Sequence, residues 1–203
     1  MCDQPKSRYW QAELVARHPG LFDIMVDGRP RRGYPAVGDG WRELVETAVE
    51  RIAAALSEAP GPVVKIVRIK EKFAAVRIDW RAGPALPQSV RDALRTAVDL
   101  AEARSACTCE TCGAPGRLFN DGGHQATACD AHGRGTSDRT VPERATVHLC
   151  QVRRGGSQVV RARRYLRETD SFVDVDSSSL PPEDDHTMHV FAAARFEPPE
   201  RLI

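Results

Sequence analysis

Four residues in the middle of the chain have the types and spacing of a metal site. Cys109 and Cys112 are separated by two residues, as are Cys129 and His132, and 16 residues lie between the two pairs. A two-residue gap lets both side chains of a pair turn toward one ion, and three thiolates with one imidazole complete a tetrahedral ligand set. The pattern predicts a structural zinc ion.

Two nearby residues leave the choice of ligands open. Cys107 lies two residues before the first pair and can replace one of its cysteines, and His124 can replace His132. A single Cys-x-x-Cys is also typical of a redox pair, whereas two ligand pairs at this spacing favour a metal. The competing interpretation is a set of free cysteines in a reduced interior. We prefer the four residues above because they form two matched pairs.

The composition of the 203 residues is that of an ordinary globular protein. Hydrophobic residues make up 41% and charged residues 28%, and the net charge of +1 creates no global field that would demand nucleic acid or a membrane surface. No apolar run approaches the roughly 20 residues of a membrane span. The first residues lack an apolar signal segment. Together with a cysteine-rich metal site, these features predict a cytoplasmic protein, because thiols stay reduced there.

Helical periodicity recurs along the first half of the chain. Residues 7–18 predict a short helix with Trp10 and Leu14 inward, and residues 21–26 predict a strand. The clearest helix opens at Asp39, whose carboxylate is expected to cap the first turn. Eight apolar side chains then recur at three- and four-residue steps before a Pro-Gly-Pro stop. A further amphipathic helix is predicted from about residue 88 to residue 104, leading straight into the cysteines.

A β-hairpin is predicted between the two longer helices. Residues 63–70 and 73–80 are rich in β-branched side chains, and residues 71–72 are expected to form the turn. Val63, Val67 and Ile69 are expected on one face of the first strand. One interpretation of the basic side chains in these strands is nucleic-acid binding. The preferred interpretation is the solvent side of an antiparallel sheet, with Glu71 and Asp79 balancing the charge. These basic residues are Lys65, Arg68, Lys70, Lys72 and Arg77.

Several short motifs, taken in order, resemble those of one protein family. They are Gly-Asp-Gly-Trp at residues 38–41, Ile-Lys-Glu-Lys-Phe at 69–73, Ala-Arg-Ser at 103–105, Cys-Glu-Thr-Cys-Gly at 109–113 and the final Cys-x-x-His. This order is similar to that of small uncharacterised zinc-knuckle proteins of bacterial and phage or prophage genomes. The likeness covers about residues 8–135, and Ala74 stands where those proteins usually have glycine. The resemblance implies an architecture and zinc, and it implies no reaction.

The composition changes after residue 145. Residues 146–153 and 158–166 predict a second hairpin, with a Gly-Gly turn between them. Its arginines are candidate contacts for an anionic partner: Arg153, Arg154, Arg161, Arg163 and Arg164. Six acidic residues between positions 170 and 185 can neutralise them. A phosphate-tracking surface needs its cations on one face, whereas strand alternation divides these arginines between two.

These observations predict an α+β fold, with amphipathic helices packed on an antiparallel hairpin or small sheet. We expect a core domain over residues 1–140, with a Cys3His zinc knuckle at about 105–135. Residues 141–203 are expected to form a C-terminal β-hairpin extension with an acidic loop and a loose tail.

The expected function is a non-catalytic, zinc-stabilised protein-binding module of phage or mobile-element type, without membrane attachment. Four protein ligands saturate zinc and leave no position for a reactive water, which argues against an enzyme. One alternative is a nucleic-acid-binding protein that uses the C-terminal arginines. The other is a zinc-loop nuclease, which must fit a catalytic hairpin and a helix around its metal ligands, and a gap of 16 residues is expected to be too short for both.

Overall fold

The computed structural model of the protein describes residues 9–26, 29–58, 61, 63–137, 147–154 and 157–175. This part of the chain has a mixed α+β fold with four α-helices and small, mainly antiparallel sheets. The chain divides into two compact units, Met1–Arg139 and Thr140–Ile203. The helices are α1 (Trp10–Arg17), α2 (Pro19–Phe22), α3 (Arg42–Ser57) and α4 (Gln88–Ser105).

The strands of the first unit form three small sheets. They are β1 (Asp23–Val26), β2 (Arg29–Arg32), β3 (Pro35–Ala36), β4 (Val64–Lys72), β5 (Ala75–Ala82), β6 (Arg117–Asp121), β7 (His124–Ala128) and β8 (Thr136–Ser137). β1 pairs with β2, the order in the second sheet is β3-β4-β5, and the order in the third is β7-β6-β8. The hairpin β4–β5 is antiparallel, while the short β3 runs parallel to β4.

The core of the first unit joins the helices to the β3-β4-β5 sheet. The apolar stripes predicted for α3 and α4 are buried, with Val45, Ile52 and Leu94 fully enclosed. Ile66 and Ile69 of β4 belong to the same cluster. The predicted helices around a hairpin are therefore confirmed. Within the described residues, none of the helices combines the length and apolarity needed to cross a bilayer.

The N-terminal helix α1 is anchored through a buried indole. Trp10 and Leu14 are fully buried, as expected from their spacing. The indole Nε1 of Trp10 donates a hydrogen bond to Oδ1 of Asp39 at 2.8 Å. Asp39 lies in a 3₁₀ turn before α3, and no side chain caps that helix. The predicted cap is therefore wrong: the carboxylate instead satisfies a donor that would be costly to bury alone.

The turn of the first hairpin lies two residues later than predicted. β4 continues through residues 71–72, and Phe73 and Ala74 form the turn with φ values of 54° and 61°. Two left-handed residues match the twist of a two-residue hairpin, but they are strained when neither is glycine. Oε1 of Glu71 stabilises the turn by accepting a 2.7 Å hydrogen bond from the Ala74 amide.

A β-bulge reverses the predicted alternation in β4. The register against β5 shifts just after Ile66, leaving Val67 as the extra residue. Val64 and Ile66 are buried before the bulge and Ile69 is buried after it, while Val63 is 62% exposed. The predicted shared face of Val63 and Ile69 is wrong, because one inserted residue moves the following side chains to the other face.

The segment after α1 also differs from the prediction. Residues 19–22 form the short helix α2 rather than the start of a strand, and β1 begins only at Asp23. Leu21 and Phe22 are buried in the core from this helix. Their apolar character was correctly interpreted as inward, but a run of four residues does not distinguish a buried helical turn from a strand.

The second unit contains one three-stranded antiparallel sheet. Its strands are β9 (Val147–Arg154), β10 (Ser157–Leu166) and β11 (Ser171–Asp174), in the order β11-β10-β9. The predicted hairpin is confirmed by the pairing of Arg154 with Ser157, and β11 occupies part of the expected acidic loop. The predicted Gly-Gly turn at 155–156 and the loose tail lie outside the described residues.

Aromatic packing supports this second sheet. Phe172 of β11 meets the rings of His148 and Tyr165 edge-on, at centroid distances of 5.8 and 5.9 Å. Burial lowers the pKa of His148 to about 4. The hydroxyl of Tyr165 donates a 2.6 Å hydrogen bond to Asp170, which anchors the turn into β11.

We expect a chain that ends after residue 139 to fold by itself, because the core cluster and all four predicted ligands lie before that point. The shortened chain should show one cooperative thermal transition and the same metal content as the full chain. Circular dichroism and elemental analysis would measure both. Aggregation, or loss of the metal with retained solubility, would show that the second unit supports the first.

Candidate metal centre

The four preferred ligands lie together in the first unit. The donor atoms of Cys109, Cys112, Cys129 and His132 are all within 4.8 Å of one another. Sγ of Cys112 is 3.7 Å from Sγ of Cys129, and Nδ1 of His132 is 3.2 Å from Sγ of Cys129 and 3.6 Å from Sγ of Cys109. The group can hold one metal ion.

These separations fit a tetrahedral ion. Two sulfur ligands at about 2.3 Å from a tetrahedral centre lie roughly 3.8 Å apart, and a sulfur and a nitrogen ligand lie slightly closer. The distances between Cys112 and Cys129 and between His132 and the two cysteines match this geometry. The donor set therefore fits a small cation that prefers sulfur and nitrogen.

The first ligand pair is shaped by a tight backbone turn. The Gly113 amide donates to the Cys109 carbonyl at 2.8 Å, and the Cys109 amide donates to the Ala114 carbonyl at 2.8 Å. Gly113 has φ of 79°, a conformation that glycine adopts without strain. The turn points the amides of Thr111 and Cys112 at the Cys109 sulfur, which lies next to them.

The two sulfurs of this pair have opposite pKa shifts. Burial alone would raise the pKa of Cys109, but hydrogen bonds from the amides of Cys129, Cys112 and Thr111 and from His132 lower it to about 6. Burial and the neighbouring cysteine sulfurs raise the pKa of Cys112 to about 11. The backbone thus favours the thiolate of Cys109. The Cys112 thiol would give up its proton on binding a cation, whose charge offsets that of the neighbouring sulfurs.

The second ligand pair lies in a similar turn. The amides of His132 and Gly133 both donate to the Cys129 carbonyl, at 3.0 and 2.8 Å. Asp130, between the two ligands, accepts a hydrogen bond from the guanidinium of Arg117. The same guanidinium lies 5.0 Å above the Phe119 ring. These contacts tie the second turn to strand β6.

A β-hairpin fills the gap between the two ligand pairs. Strands β6 and β7 pair from Arg117↔Ala128 to Asp121↔His124, with two glycines at the turn. The 16 residues between the pairs, all of them described, thus hold a hairpin and no helix, as expected from the short gap. Phe119 and Ala128 of this hairpin pack with Cys109 in a small buried cluster, against which Cys112 and Cys129 rest.

The Gly38–Trp41 segment is part of the site, and the sequence analysis missed this. The Gly40 amide donates to the Glu110 carbonyl at 2.7 Å, and the Gly38 amide donates to Oε1 of Glu110 at 3.0 Å. The Trp41 indole donates to the Thr108 carbonyl at 2.7 Å within the core. Two glycines flanking Asp39 were the available signal, since paired glycines often mark a close backbone approach.

Residue Glu110 links this segment to the first hairpin. Burial raises its pKa, and a hydrogen bond from the Gly38 amide opposes that shift. Its own amide donates to the Thr127 carbonyl at 3.1 Å, and the Thr127 hydroxyl donates to the Ala74 carbonyl at 2.6 Å. The metal knuckle, strand β7 and the turn of β4–β5 are thus joined by consecutive hydrogen bonds.

The two alternative ligands lie outside the cluster. The Cys107 sulfur is directed at the carbonyls of Ala103 and Arg104, at 3.8 and 3.3 Å, in the last turn of α4. His124 is exposed at the start of β7, at the far end of that hairpin from Ala128. Neither belongs to the group of donor atoms that can share an ion.

The C-terminal arginines, which were candidate contacts for an anionic partner, lie in the second unit, and two of them form ion pairs there. Arg161 and Arg163 both form ion pairs with Asp174 of β11, the second with a 3.1 Å distance from Nε to Oδ1. Arg164 is exposed on the same strand. The side chains of Arg153 and Arg154 lie outside the described residues. The two described arginines that share a face therefore share one carboxylate within the sheet.

Comparisons with known proteins do not extend these observations. A scan against protein-family models, a search of curated proteins and a search of solved structures give no match to this chain. The resemblance to zinc-knuckle proteins of bacterial and phage genomes stays a prediction from the motifs.

We expect Gly40→Ala to destabilise the protein by about 1–3 kcal/mol, the usual range for overpacking. A Cβ at this position would overlap the Cys109 carbonyl oxygen and crowd the backbone of Gly113. The variant should also release its metal to a chelator faster than the parent. Urea unfolding and a chromogenic chelator assay would measure these effects.

Gly20→Ala is the matched control, since a Cβ there meets no atom within 4 Å. Equal stability and equal metal release in the two variants would contradict the close contact between the Gly38–Trp41 segment and the knuckle.

Proposed function

We propose that this protein is a non-catalytic binding module of phage or mobile-element type, stabilised by a structural zinc ion. The ion would be held by Cys109, Cys112, Cys129 and His132. The observation that carries the proposal is the closed set of four donors at tetrahedral separations. Its role would be that of an accessory factor, an inhibitor or an immunity-type protein that acts by binding another protein in the cytoplasm.

The donor chemistry supports zinc over other cations. Three sulfurs and one imidazole nitrogen suit a borderline-soft ion, whereas calcium and magnesium prefer oxygen ligands. Four protein ligands leave no open position for water, which is typical of structural rather than catalytic zinc. The described residues between the ligand pairs form a hairpin without a helix, so the site lacks the hairpin-and-helix arrangement of the zinc-loop nuclease alternative.

The packing around the site also supports a structural role. The buried cluster of the knuckle contains only Cys109, Phe119 and Ala128 among the described residues. A core of this size gives little hydrophobic stabilisation, so small zinc modules depend on the ion for their fold. The ion would thereby fix the surface that a partner recognises.

The second candidate, nucleic-acid binding through the C-terminal arginines, is disfavoured by the ion pairs of Asp174. Arg161 and Arg163 share this one carboxylate. A partner phosphate would have to displace it, and the gain from releasing counterions would be correspondingly small. A protein partner is therefore the better proposal for this module.

We expect about one zinc ion per chain in protein purified without added metal, as one tetrahedral site requires. Cys112→Ser should lose the ion and destabilise the protein by about 4 kcal/mol or more, because loss of a metal ligand is among the largest single-residue effects. Cys107→Ser is the control, since that sulfur faces helix carbonyls. Elemental analysis and thermal unfolding would measure both. Equal losses in the two variants would mean that the ligands are misassigned.

We expect the zinc-loaded full chain to capture a protein from a nuclease-treated host lysate. Cys112→Ser should fail to capture it, because the knuckle loses its fold, whereas Cys107→Ser should retain it. Mass spectrometry of the bound fraction would identify the protein. Recovery of the same proteins with both variants, or of no protein at all, would count against a zinc-dependent protein-binding module.

A further inference from the structure

The outer face of the β4–β5 hairpin gathers basic side chains. Alternate residues of a strand point to one side of the sheet, and Ile69, Val76 and Ile78 are buried on the inner side. The outer face carries Arg68, Lys70, Lys72, Arg77, Asp79 and Arg81. Five cations of this hairpin thus share one surface.

Few carboxylates neutralise this surface. Asp79 accepts both of its hydrogen bonds from Arg68, at 3.0 and 2.8 Å. Glu71 was expected to balance the charge, but it is engaged by the amide of Ala74 at the turn. Within the residues that the structure describes, the other four basic side chains of this face have no ion pair with a carboxylate. Glu71 and Asp79 therefore balance only part of the positive charge that they were expected to balance.

Two of the cations face each other directly across the strands. Lys70 is the register partner of Arg77. Opposite residues in a hairpin have Cβ atoms about 5 Å apart, and a pair of like charges at directly opposite positions is destabilising. A bound anion would remove this repulsion.

Exposed aromatic rings lie at two points around the same surface. Phe73 is 59% exposed at the turn, with the Lys72 ammonium 5.2 Å from its ring centre. The backbone of Phe73 is strained, with φ of 54°, and the exposed ring gains no burial energy that would offset this strain. Tyr34 is 49% exposed just before β3, where the parallel register places it level with Arg68.

We propose that this face binds single-stranded nucleic acid. The phosphates would lie along Lys70, Arg77 and Arg81, and unstacked bases would stack on Phe73 and Tyr34. Basic tracks combined with exposed rings are the usual means of holding single strands without sequence preference. In a duplex the base faces are stacked inside, and proteins read the base edges by inserting a helix or a β-ribbon into a groove. A flat sheet face is therefore less suited to duplex binding. The inference rests on residues outside the metal site and is independent of the proposed protein partner.

Fluorescence anisotropy with labelled oligothymidine and oligouridine would test the proposal on the zinc-loaded full chain. We expect binding that weakens with added salt, and weaker binding to a duplex of equal length. The double variant Lys70→Gln, Arg77→Gln should bind at least tenfold more weakly, and its salt slope should fall by about 1.4, as expected for two lost phosphate contacts. Its melting temperature should be equal to that of the parent or higher, because a like-charge pair is removed.

Phe73→Gly separates stacking from charge. Glycine adopts this backbone conformation without strain, so the variant should remain folded with its zinc. We expect about tenfold weaker binding and an unchanged salt slope, because a stacking contact is lost and no cation is. Arg164→Gln, on the C-terminal sheet, is the matched control and should bind like the parent.

Three results would overturn the proposal. The first is absence of oligonucleotide binding by the folded, zinc-loaded parent. Equal affinity of the parent and the double variant is the second. The third is full competition by polyglutamate together with unchanged binding of Phe73→Gly, which would identify an acidic protein surface as the ligand of this face.

Discussion

The metal knuckle is held against the helical core by a backbone contact with no space for a side chain. The Gly40 amide donates to the Glu110 carbonyl, and the Trp41 indole reaches the Thr108 carbonyl inside the core. These bonds satisfy polar groups that would otherwise be buried at a cost. The start of α3 and the first ligand pair therefore depend on each other, and the metal site is part of the fold of the first unit.

Two hydroxyl side chains, of Ser105 and Thr127, connect this region to the backbone of the first hairpin. The Ser105 hydroxyl accepts the Val76 amide at 2.8 Å, and the Thr127 hydroxyl donates to the Ala74 carbonyl. Both groups are buried, so each hydrogen bond is strengthened by the low local dielectric. A cation at the four donors would consequently support the turn that contains Phe73.

Charge is arranged differently in the two units. In the C-terminal sheet, β11 places Asp174 beside Arg161 and Arg163 of β10, and both arginines form ion pairs with it. In the β4–β5 hairpin, Asp79 engages Arg68, while Lys70 and Arg77 oppose each other. The difference in available charge therefore depends on which strand brings a carboxylate next to the cations.

The sequence by itself determined the elements whose signals are local. The periodic apolar residues of α3 and α4, the paired spacing of Cys109–Cys112 and Cys129–His132, and the two hairpins all follow from interactions between residues close in the chain. The choice of these four donors over Cys107 and His124 was also preferred from spacing alone, and the structure brings the same four together.

Only the tertiary structure decided the features that depend on distant partners. Asp39 receives the Trp10 indole instead of capping a helix, the bulge at Val67 inverts the face of β4, and Phe73 and Ala74 take the turn. In each case the local preference was weaker than a contact made by a residue or strand far away in sequence. Such contacts have no periodicity to reveal them, because they depend on which surfaces meet after the chain has folded.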